Sequence, residues 1–366
     1  MDRRSSASWL ALIYALLVVY ASLYPFWPWR WPPSMPWQGV VLLPWPHYWL
    51  SFDIWANALG YAPLGFLCVA AVVRSGGRVR SGLLLALLGL PTLSYLMETL
   101  QTFLPGRVPS LADWALNSAG AWAGALLGWL MHRFGGLARW QGWRERWFAP
   151  HSAGALALLA LWPVGLLFPA PLPLGLGQWL PRLRDVAEDL LEDTPWALPD
   201  SLLGDNEDLP LPPGLEAIGI ALGLLGPVLL ALSIARPGWR RVPLVLGAAL
   251  IGVLGTTVST LMNFGPQHAW AWITPATGPG LGIGAGLGLL AALLSRRANA
   301  AWGLVMLTAL IALVSHAPTD PYLAQSLRAW EQGRFINMYG LAQWVGWVWP
   351  FAALAWLLWG VTQRER

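Results

Sequence analysis

Ten stretches of about 20 mostly apolar residues constrain this chain more than any other feature of its sequence. A helix needs about that length to cross the roughly 30 Å hydrocarbon core of a membrane at about 1.5 Å of rise per residue. Only 11% of the 366 residues are charged, so a soluble fold could not keep the apolar residues away from water. We therefore predict an all-α, polytopic membrane bundle of ten transmembrane helices. The predicted spans are residues 9–27, 54–73, 82–103, 114–132, 151–170, 214–235, 243–262, 275–294, 299–316 and 340–360.

Arginine, which supplies all 22 basic residues, gives these predicted spans an orientation. Sixteen of the 22 lie near the chain ends or in the even-numbered breaks between spans, and six lie in the odd-numbered breaks. Because cytoplasmic loops carry the excess of basic residues, we predict a multi-pass protein of the cell membrane with both termini in the cytoplasm. The arginines form no single basic face, so we do not expect nucleic acid as a partner.

Three segments on the predicted outer side are long enough to carry structure of their own. Residues 28–53 are rich in Trp and Pro, and the acidic outer loop 171–213 contains an amphipathic stretch from Gln178 to Thr194. Residues 317–338 contain a shorter amphipathic stretch. We expect the two amphipathic stretches to form interfacial helices, and the three segments together to serve as spacers that cover the bundle.

A shared rhythm of spans and turns suggests a tandem four-helix repeat. At an offset of 162 residues Gly120 meets Gly282 and Gly124 meets Gly286, which favours a duplication of residues 54–133 in 216–297. Glycines also recur at every fourth residue, a spacing that lets helix backbones approach closely in lipid. These faces are Gly120, Gly124 and Gly128, and Gly280, Gly284 and Gly288. We predict three parts: a four-helix domain at 1–150, a second four-helix unit at 151–298, and two added helices at 299–366.

A cluster of polar residues lies near the predicted outer ends of the second, third and fourth spans. Glu98 is the clearest member, because an ionisable group inside a span costs about 2.5–3.5 kcal/mol on insertion scales. Ser94 and Gln101 share its helix face, and the following turn carries Arg107. Either Ser110 or Asp113 can cap the fourth helix. The residues that we expect to converge as a ligand site are Asn57, Ser94, Glu98, Gln101, Arg107, Asp113 and Asn117.

This cluster is open to more than one interpretation. The fork of Arg107 suits a phosphate or a carboxylate, and the carboxylates and amides suit hydroxyl groups. Alternatively, Glu98 and Arg107 form an ion pair that only holds two helices together. A third alternative is that polar residues are simply tolerated near the membrane interface.

The same residues carry a resemblance to a known family. Asp53, Asn57 and the run Pro63-Leu64-Gly65-Phe66 are followed by Ser94-x-x-x-Glu98-x-x-Gln101 and Pro105-Gly106-Arg107-x-x-Ser110-x-x-Asp113-x-x-x-Asn117-x-x-Gly120. This pattern resembles the VanZ-like family, named for a protein associated with teicoplanin resistance, over roughly residues 10–133. The resemblance implies a bacterial cell-envelope membrane protein, and it does not imply that this chain itself confers resistance. A link to glycopeptide-antibiotic tolerance is part of the function that we expect.

Three functions compete on these observations. We favour binding of an amphiphilic envelope component, a lipid-linked glycan or an anionic lipid, with membrane lipids as the partners. The alternatives are an enzyme acting on such a lipid, with Glu98 or Asp113 as general base and Arg107 as phosphate clamp, and a transporter. We predict no metal site and no cofactor, because no histidine pair, Walker loop or nucleophile motif is present.

A second polar face lies in the seventh predicted span. Its residues are Thr256, Ser259, Thr260 and Asn263. Hydroxyls and amides on one face bond between helices in lipid, so we expect packing here. Under the duplication, Thr260 and Asn263 stand where the first unit has Glu98 and Gln101. The second unit would then be a scaffold that has lost its charge.

Overall fold

The structure is a computed structural model that describes residues 6–24, 26–32, 37–46, 51–150, 152–179, 211–317 and 336–362, together with residues 183 and 191. The described residues form helices and no β-strand, so the prediction of an all-α membrane bundle is confirmed. Among the described residues, six helices are long and apolar enough to cross a membrane, judged by length and composition. The predicted count of ten spans is therefore not established.

The helices are numbered here in chain order. They are α1 Ser6–Leu23, α2 Trp37–Val41, α3 Ser51–Arg74, α4 Val79–Gln101, α5 Leu111–Arg133, α6 Gly136–Trp147, α7 Ala153–Leu166, α8 Pro213–Ile234, α9 Arg241–Phe264, α10 Thr277–Ala291, α11 Arg296–Ser315 and α12 Ile336–Thr362. A π-helical turn at Leu85–Gly89 interrupts α4, and a 3-10 turn at Pro266–His268 follows α9. Each predicted span coincides with one helix, and α2 and α6 are additional. Three of the ten, α1, α7 and α10, are shorter apolar helices.

The chain divides into two compact units, Met1–Arg144 and Glu145–Arg366. In unit 1, α3 packs along α5 with their backbones almost touching. A Cβ atom added at Gly120 would lie 2.0 Å from the carbonyl oxygen of Ala58, and one added at Gly124 would lie 1.8 Å from that of Ala62. Only glycine leaves room for this approach. Helices α1 and α4 complete the unit around a core that includes Leu64.

Unit 2 is built around α8. Of the residues in the apolar window of α8, 89% are buried, whereas the corresponding share for α9 is 22%. Helices α9, α10 and α11 pack around α8, and α12 packs against α7 and α11. The helices of predicted part 299–366 thus belong to the same compact unit as α8. The predicted division into three parts concerns ancestry, and it stays a prediction.

Glycine packing recurs in unit 2 with a shifted register. Gly280 and Gly284 of α10 face the carbonyl oxygens of Ala217 and Ala221 of α8, whereas a Cβ added at Gly282 meets nothing within 4 Å. In packing role Gly120 therefore corresponds to Gly280, at an offset of 160 residues. The sequence pairing at 162 joins a buried helix face to an exposed one, and as a statement about the duplication it stays a prediction. The recurrence supports the duplication, which remains a prediction.

The two predicted interfacial helices concern residues largely outside those that the structure describes. Of the stretch from Gln178 to Thr194, only residues 178, 179, 183 and 191 are described, and the stretch within 317–338 is described only at 317 and 336–338. Both helices stay predictions.

Candidate functional site

The buried carboxylate of Glu98 is fixed by the start of α5. Ser110 has extended backbone angles and caps this helix, with its side chain accepting a hydrogen bond from the Ala112 amide at 3.1 Å. The Ser110 amide in turn donates to Oε2 of Glu98 at 2.9 Å. Glu98 is only 4% exposed, and because it accepts from the Ser110 amide, its carboxyl group lies at the positive end of the α5 dipole. The second carboxyl oxygen, Oε1, forms no hydrogen bond with the described residues.

Two further pairs join α4 and α3 to α5. Asn117 donates through Nδ2 to the hydroxyl of Ser94 at 3.0 Å, one helical turn from Glu98 along α4. Asn57 of α3 donates through Nδ2 to Oδ1 of Asp113 at 2.7 Å. Helices α3, α4 and α5 therefore meet through polar side chains at one end of unit 1.

One polar atom in this cluster, Oδ1 of Asn117, is buried without a hydrogen-bond partner among the described residues. The hydroxyl of Tyr61 is buried as well, and it lies beside the hydroxyl of Ser94. Asn117 and Tyr61 are 6% and 5% exposed. A buried polar atom without a partner costs about 1–3 kcal/mol, so such atoms are rare in folded proteins unless they serve a purpose.

The side chains of Arg107 and Gln101 bond to the end of α1, and neither bonds to Glu98 among the described residues. Nη2 of Arg107 donates to the carbonyl oxygens of Ala21 and Tyr24, at 3.1 and 2.5 Å, and Nε2 of Gln101 donates to that of Ser22 at 3.0 Å. Both side chains thus satisfy carbonyls that the end of α1 leaves without helical partners, and the Arg107 cation suits the negative end of its dipole.

Among the described residues, Glu98 and Arg107 do not form the ion pair that was considered as an alternative. The hydrogen bonds of Arg107 in this part of the chain go to backbone carbonyls, and Glu98 accepts from the Ser110 amide. The two charges are still close enough to act on each other. Burial lowers the pKa of the Arg107 guanidinium, and the negative charge of Glu98 offsets part of that effect.

The segment between α1 and α3 covers this end of unit 1. The Arg30 amide donates to the carbonyl oxygen of Phe103 at 2.8 Å, and the Leu111 amide donates to that of Pro44 at 2.9 Å. The hydroxyl of Tyr95 also bonds to the carbonyl of Val41 on α2. The described residues of segment 28–53 are therefore attached to both sides of the turn between α4 and α5, and their role as a spacer that covers the bundle stays a prediction.

The structure brings together five of the seven predicted site residues as three groups at adjoining helix ends. These five are Asn57, Ser94, Glu98, Asp113 and Asn117. The other two, Gln101 and Arg107, line the adjoining contact with α1. Sequence reasoning missed Tyr61, although its spacing of four residues from Asn57 puts it on the same face of α3.

Among the described residues, no group of three or more His, Cys, Asp or Glu side chains could hold a metal ion. The fold and this cluster define the class: an α-helical membrane protein with a buried polar cluster at the ends of three packed helices. Residues 10–132 match the family model VanZ/LLP1, which confirms over this segment the resemblance drawn from the sequence. The match covers about a third of the chain and contains all seven predicted site residues. No curated protein and no solved structure is significantly similar to the chain.

Proposed function

We propose that the polar cluster of unit 1 binds the head group of an amphiphilic envelope component, either an anionic lipid or a lipid-linked glycan. The observation that carries this proposal is the partnerless buried atom Oδ1 of Asn117, beside the buried carboxyl group of Glu98. A ligand that donates to this oxygen would recover the free energy that the oxygen loses on burial.

The remaining groups suit the same class of ligand. Oε1 of Glu98 is available to accept from a hydroxyl group. Arg107 uses only Nη2 to hold α1, which leaves Nη1 and Nε as donors for a phosphate oxygen. Hydroxyl groups together with a phosphate are the polar features of a lipid-linked glycan, and a phosphate alone is that of an anionic lipid.

Mass spectrometry of the intact protein, purified in mild detergent, tests the proposal. Glu98→Gln keeps an oxygen for the Ser110 amide, and Asn117→Ala removes the orphan acceptor, so we expect both variants to fold and to retain at least tenfold less co-purified lipid. Ser118→Ala is the matched control, because Ser118 is equally buried on α5 but bonds only to its own helix. Wild-type lipid retention in both test variants would reject the site.

An enzyme acting on a lipid-linked substrate is a second candidate, and one observation favours it. Glu98 has one oxygen held by an amide and the other unbonded, as a general base requires. Incubating the protein with the retained lipid separates the two functions. A binder returns the lipid unchanged, whereas an enzyme yields a product that disappears in Glu98→Gln.

The orientation in the membrane also belongs to this proposal. We place the protein in the bacterial cytoplasmic membrane with both termini in the cytoplasm, supported by the distribution of arginine. A single cysteine introduced at Asp200 in a Cys68→Ala background should react with an impermeant thiol reagent in intact cells. Reaction only after permeabilisation would reverse the orientation. A link to glycopeptide tolerance, which the family resemblance suggests, predicts higher antibiotic sensitivity in cells carrying Glu98→Gln.

A further inference from the structure

Unit 2 contains a cavity of about 260 Å³ at the ends of α7, α8 and α9. Small-molecule sites usually range over about 300–1,000 Å³, so this cavity fits a small chemical group. The polar side chains that line it are Glu216, Thr256, Ser259, Thr260, His268 and Thr274. All belong to unit 2, outside the segment that matches VanZ/LLP1.

Most hydroxyl protons around this cavity are already committed. The hydroxyl of Ser259 donates to the carbonyl of Leu167 at 3.0 Å, and that of Thr260 donates to backbone carbonyls of α9 and the following turn. The hydroxyl of Thr274 donates to Oε1 of Glu216 at 2.6 Å. A hydroxyl group has one proton, so these three oxygens can only accept further hydrogen bonds.

Two other side chains add to this lining. Oε2 of Glu216 is a carboxylate oxygen that forms no hydrogen bond with the described residues, so it can accept one. Nδ1 of His268 lies 2.9 Å from the carbonyl oxygen of Phe264, which can only accept, so the proton on Nδ1 is already committed. The polar lining of the cavity is therefore short of donors.

Thr256 gives an independent indication that something binds here. Its side chain is 8% exposed, it lines the cavity, and its hydroxyl has no hydrogen-bond partner. A buried hydroxyl without a partner is costly, and a bound group would satisfy it. Among the described residues that line the cavity, Glu216 has the only carboxylate, and none is an arginine or a lysine.

We propose that this cavity binds an alkylammonium group. Such a group brings three N–H donors to a lining of acceptors, and its positive charge pairs with the carboxylate of Glu216. The apolar part of the lining, which includes Leu166, Leu172 and Phe264, suits the attached carbon chain. An anion is disfavoured, because it would face the carboxylate of Glu216 with no arginine or lysine in the described lining to offset that group.

The ammonium can come from a lipid with an ethanolamine head group or from a soluble amine. Native mass spectrometry of the full-length protein in detergent distinguishes the two sources. One titration uses phosphatidylethanolamine, a second uses phosphatidylglycerol, and a third uses free ethanolamine. We expect phosphatidylethanolamine to bind at least tenfold more tightly than phosphatidylglycerol if a lipid supplies the group, and free ethanolamine to bind and compete if a soluble amine does.

Two substitutions test the site. Glu216→Gln removes the charge but keeps an oxygen for Thr274, and we expect it to weaken ammonium binding at least tenfold. Thr256→Val has nearly the same shape and breaks no existing hydrogen bond, so it should fold normally and weaken binding severalfold. Ser233→Ala is the control on α8, because the Ser233 hydroxyl bonds only within its own helix.

The results separate this site from the one in unit 1. Glu98→Gln should leave ammonium binding unchanged, and Thr256→Val should leave the lipid retained by unit 1 unchanged. Ammonium binding that is equal in wild type, Glu216→Gln and Thr256→Val would overturn the proposal. Tighter binding of phosphatidylglycerol, lost in Glu216→Gln, would overturn it as well, since the cavity would then prefer an anion.

Discussion

Both units have glycines at every fourth residue of a packed helix, but the helix backbones approach more closely in unit 1. The hydrogen bonds of the polar side chains also differ between the two units. A Cβ at Gly124 would overlap the carbonyl oxygen of Ala62 at 1.8 Å, whereas one at Gly284 would lie 3.1 Å from that of Ala221. In unit 1 the polar side chains at the helix ends bond to each other and to the turn beyond. In unit 2 they bond mainly to backbone carbonyls around an open cavity. A common packing scheme thus accommodates a closed polar cluster in one unit and an open site in the other.

The largest effect that we predict concerns this difference in the distance between packed helix backbones. Gly124→Ala should lower the free energy of unfolding by more than about 3 kcal/mol, because a backbone carbonyl cannot move aside as a side chain can. Gly284→Ala should cost only about 1 kcal/mol. Equilibrium unfolding in mixed detergent and SDS measures both. Equal costs would show that the two helix pairs are equally tight.

The next effect compares two arginines that bind helix-end carbonyls. In unit 2 the buried guanidinium of Arg241 donates to the carbonyls of Ala235, Ala292 and Leu294. Hydrogen bonds to a charged group contribute about 1.5–3 kcal/mol, so Arg241→Gln should cost about 2–3 kcal/mol. Arg107→Gln should cost about 1 kcal/mol, since Arg107 is partly exposed and holds two carbonyls. The reverse order, by the same unfolding measurement, would contradict this comparison.

A smaller difference in stability is expected between substitutions of the two carboxylates, Glu98 and Glu216. Glu98→Ala leaves the Ser110 amide without its acceptor in a buried site and should cost about 1–2 kcal/mol, whereas Glu98→Gln should cost less than about 0.5 kcal/mol. Glu216→Ala should cost about 0.5 kcal/mol, because Glu216 is partly exposed and accepts from a hydroxyl. Thermal denaturation of the three variants checks this order. A large loss in Glu98→Gln would restore the ion-pair interpretation.

The smallest effect tests the register of the two units. Gly282→Ala should change the free energy of unfolding by no more than about 0.5 kcal/mol, because the added methyl group meets open space. Gly280→Ala should cost about 1–2 kcal/mol, since its methyl would lie 2.8 Å from the carbonyl oxygen of Ala217. If Gly282→Ala proves the more harmful change, the offset of 162 residues is the correct one after all.

Much of the candidate site was within reach of sequence reasoning. The turn at residues 104–110, the choice between Ser110 and Asp113 as the cap of α5, and the shared face of Ser94 and Glu98 all follow from local spacing. The hydrogen bonds of Arg107 and Gln101 do not follow from local spacing, because a flexible side chain between two helix ends bonds to whichever acceptors lie nearest. Here the end of α1, about 80 residues earlier in the chain, supplies them.

Unit 2 also shows which contacts cannot be predicted from spacing along the sequence. From the sequence, the loss of Glu98 and Gln101 at the corresponding positions of α9 pointed to a scaffold without charge. In the structure a carboxylate reaches the cavity from a different helix, because Glu216 lies in the first turn of α8 and faces Thr274. Pairing by sequence offset follows one helix at a time, whereas a cavity is lined by several.

The sequence by itself determined where the helices lie and that they are apolar enough for a membrane, since helix formation and burial in lipid depend on spacing within one segment. It also determined which glycine faces permit close packing. The tertiary structure decided the register of those faces, the carbonyls bound by Arg107, and the acceptors that surround Thr256. The physical reason is that a hydrogen bond or a backbone contact between helices depends on which atoms meet in space, and local periodicity leaves that choice open.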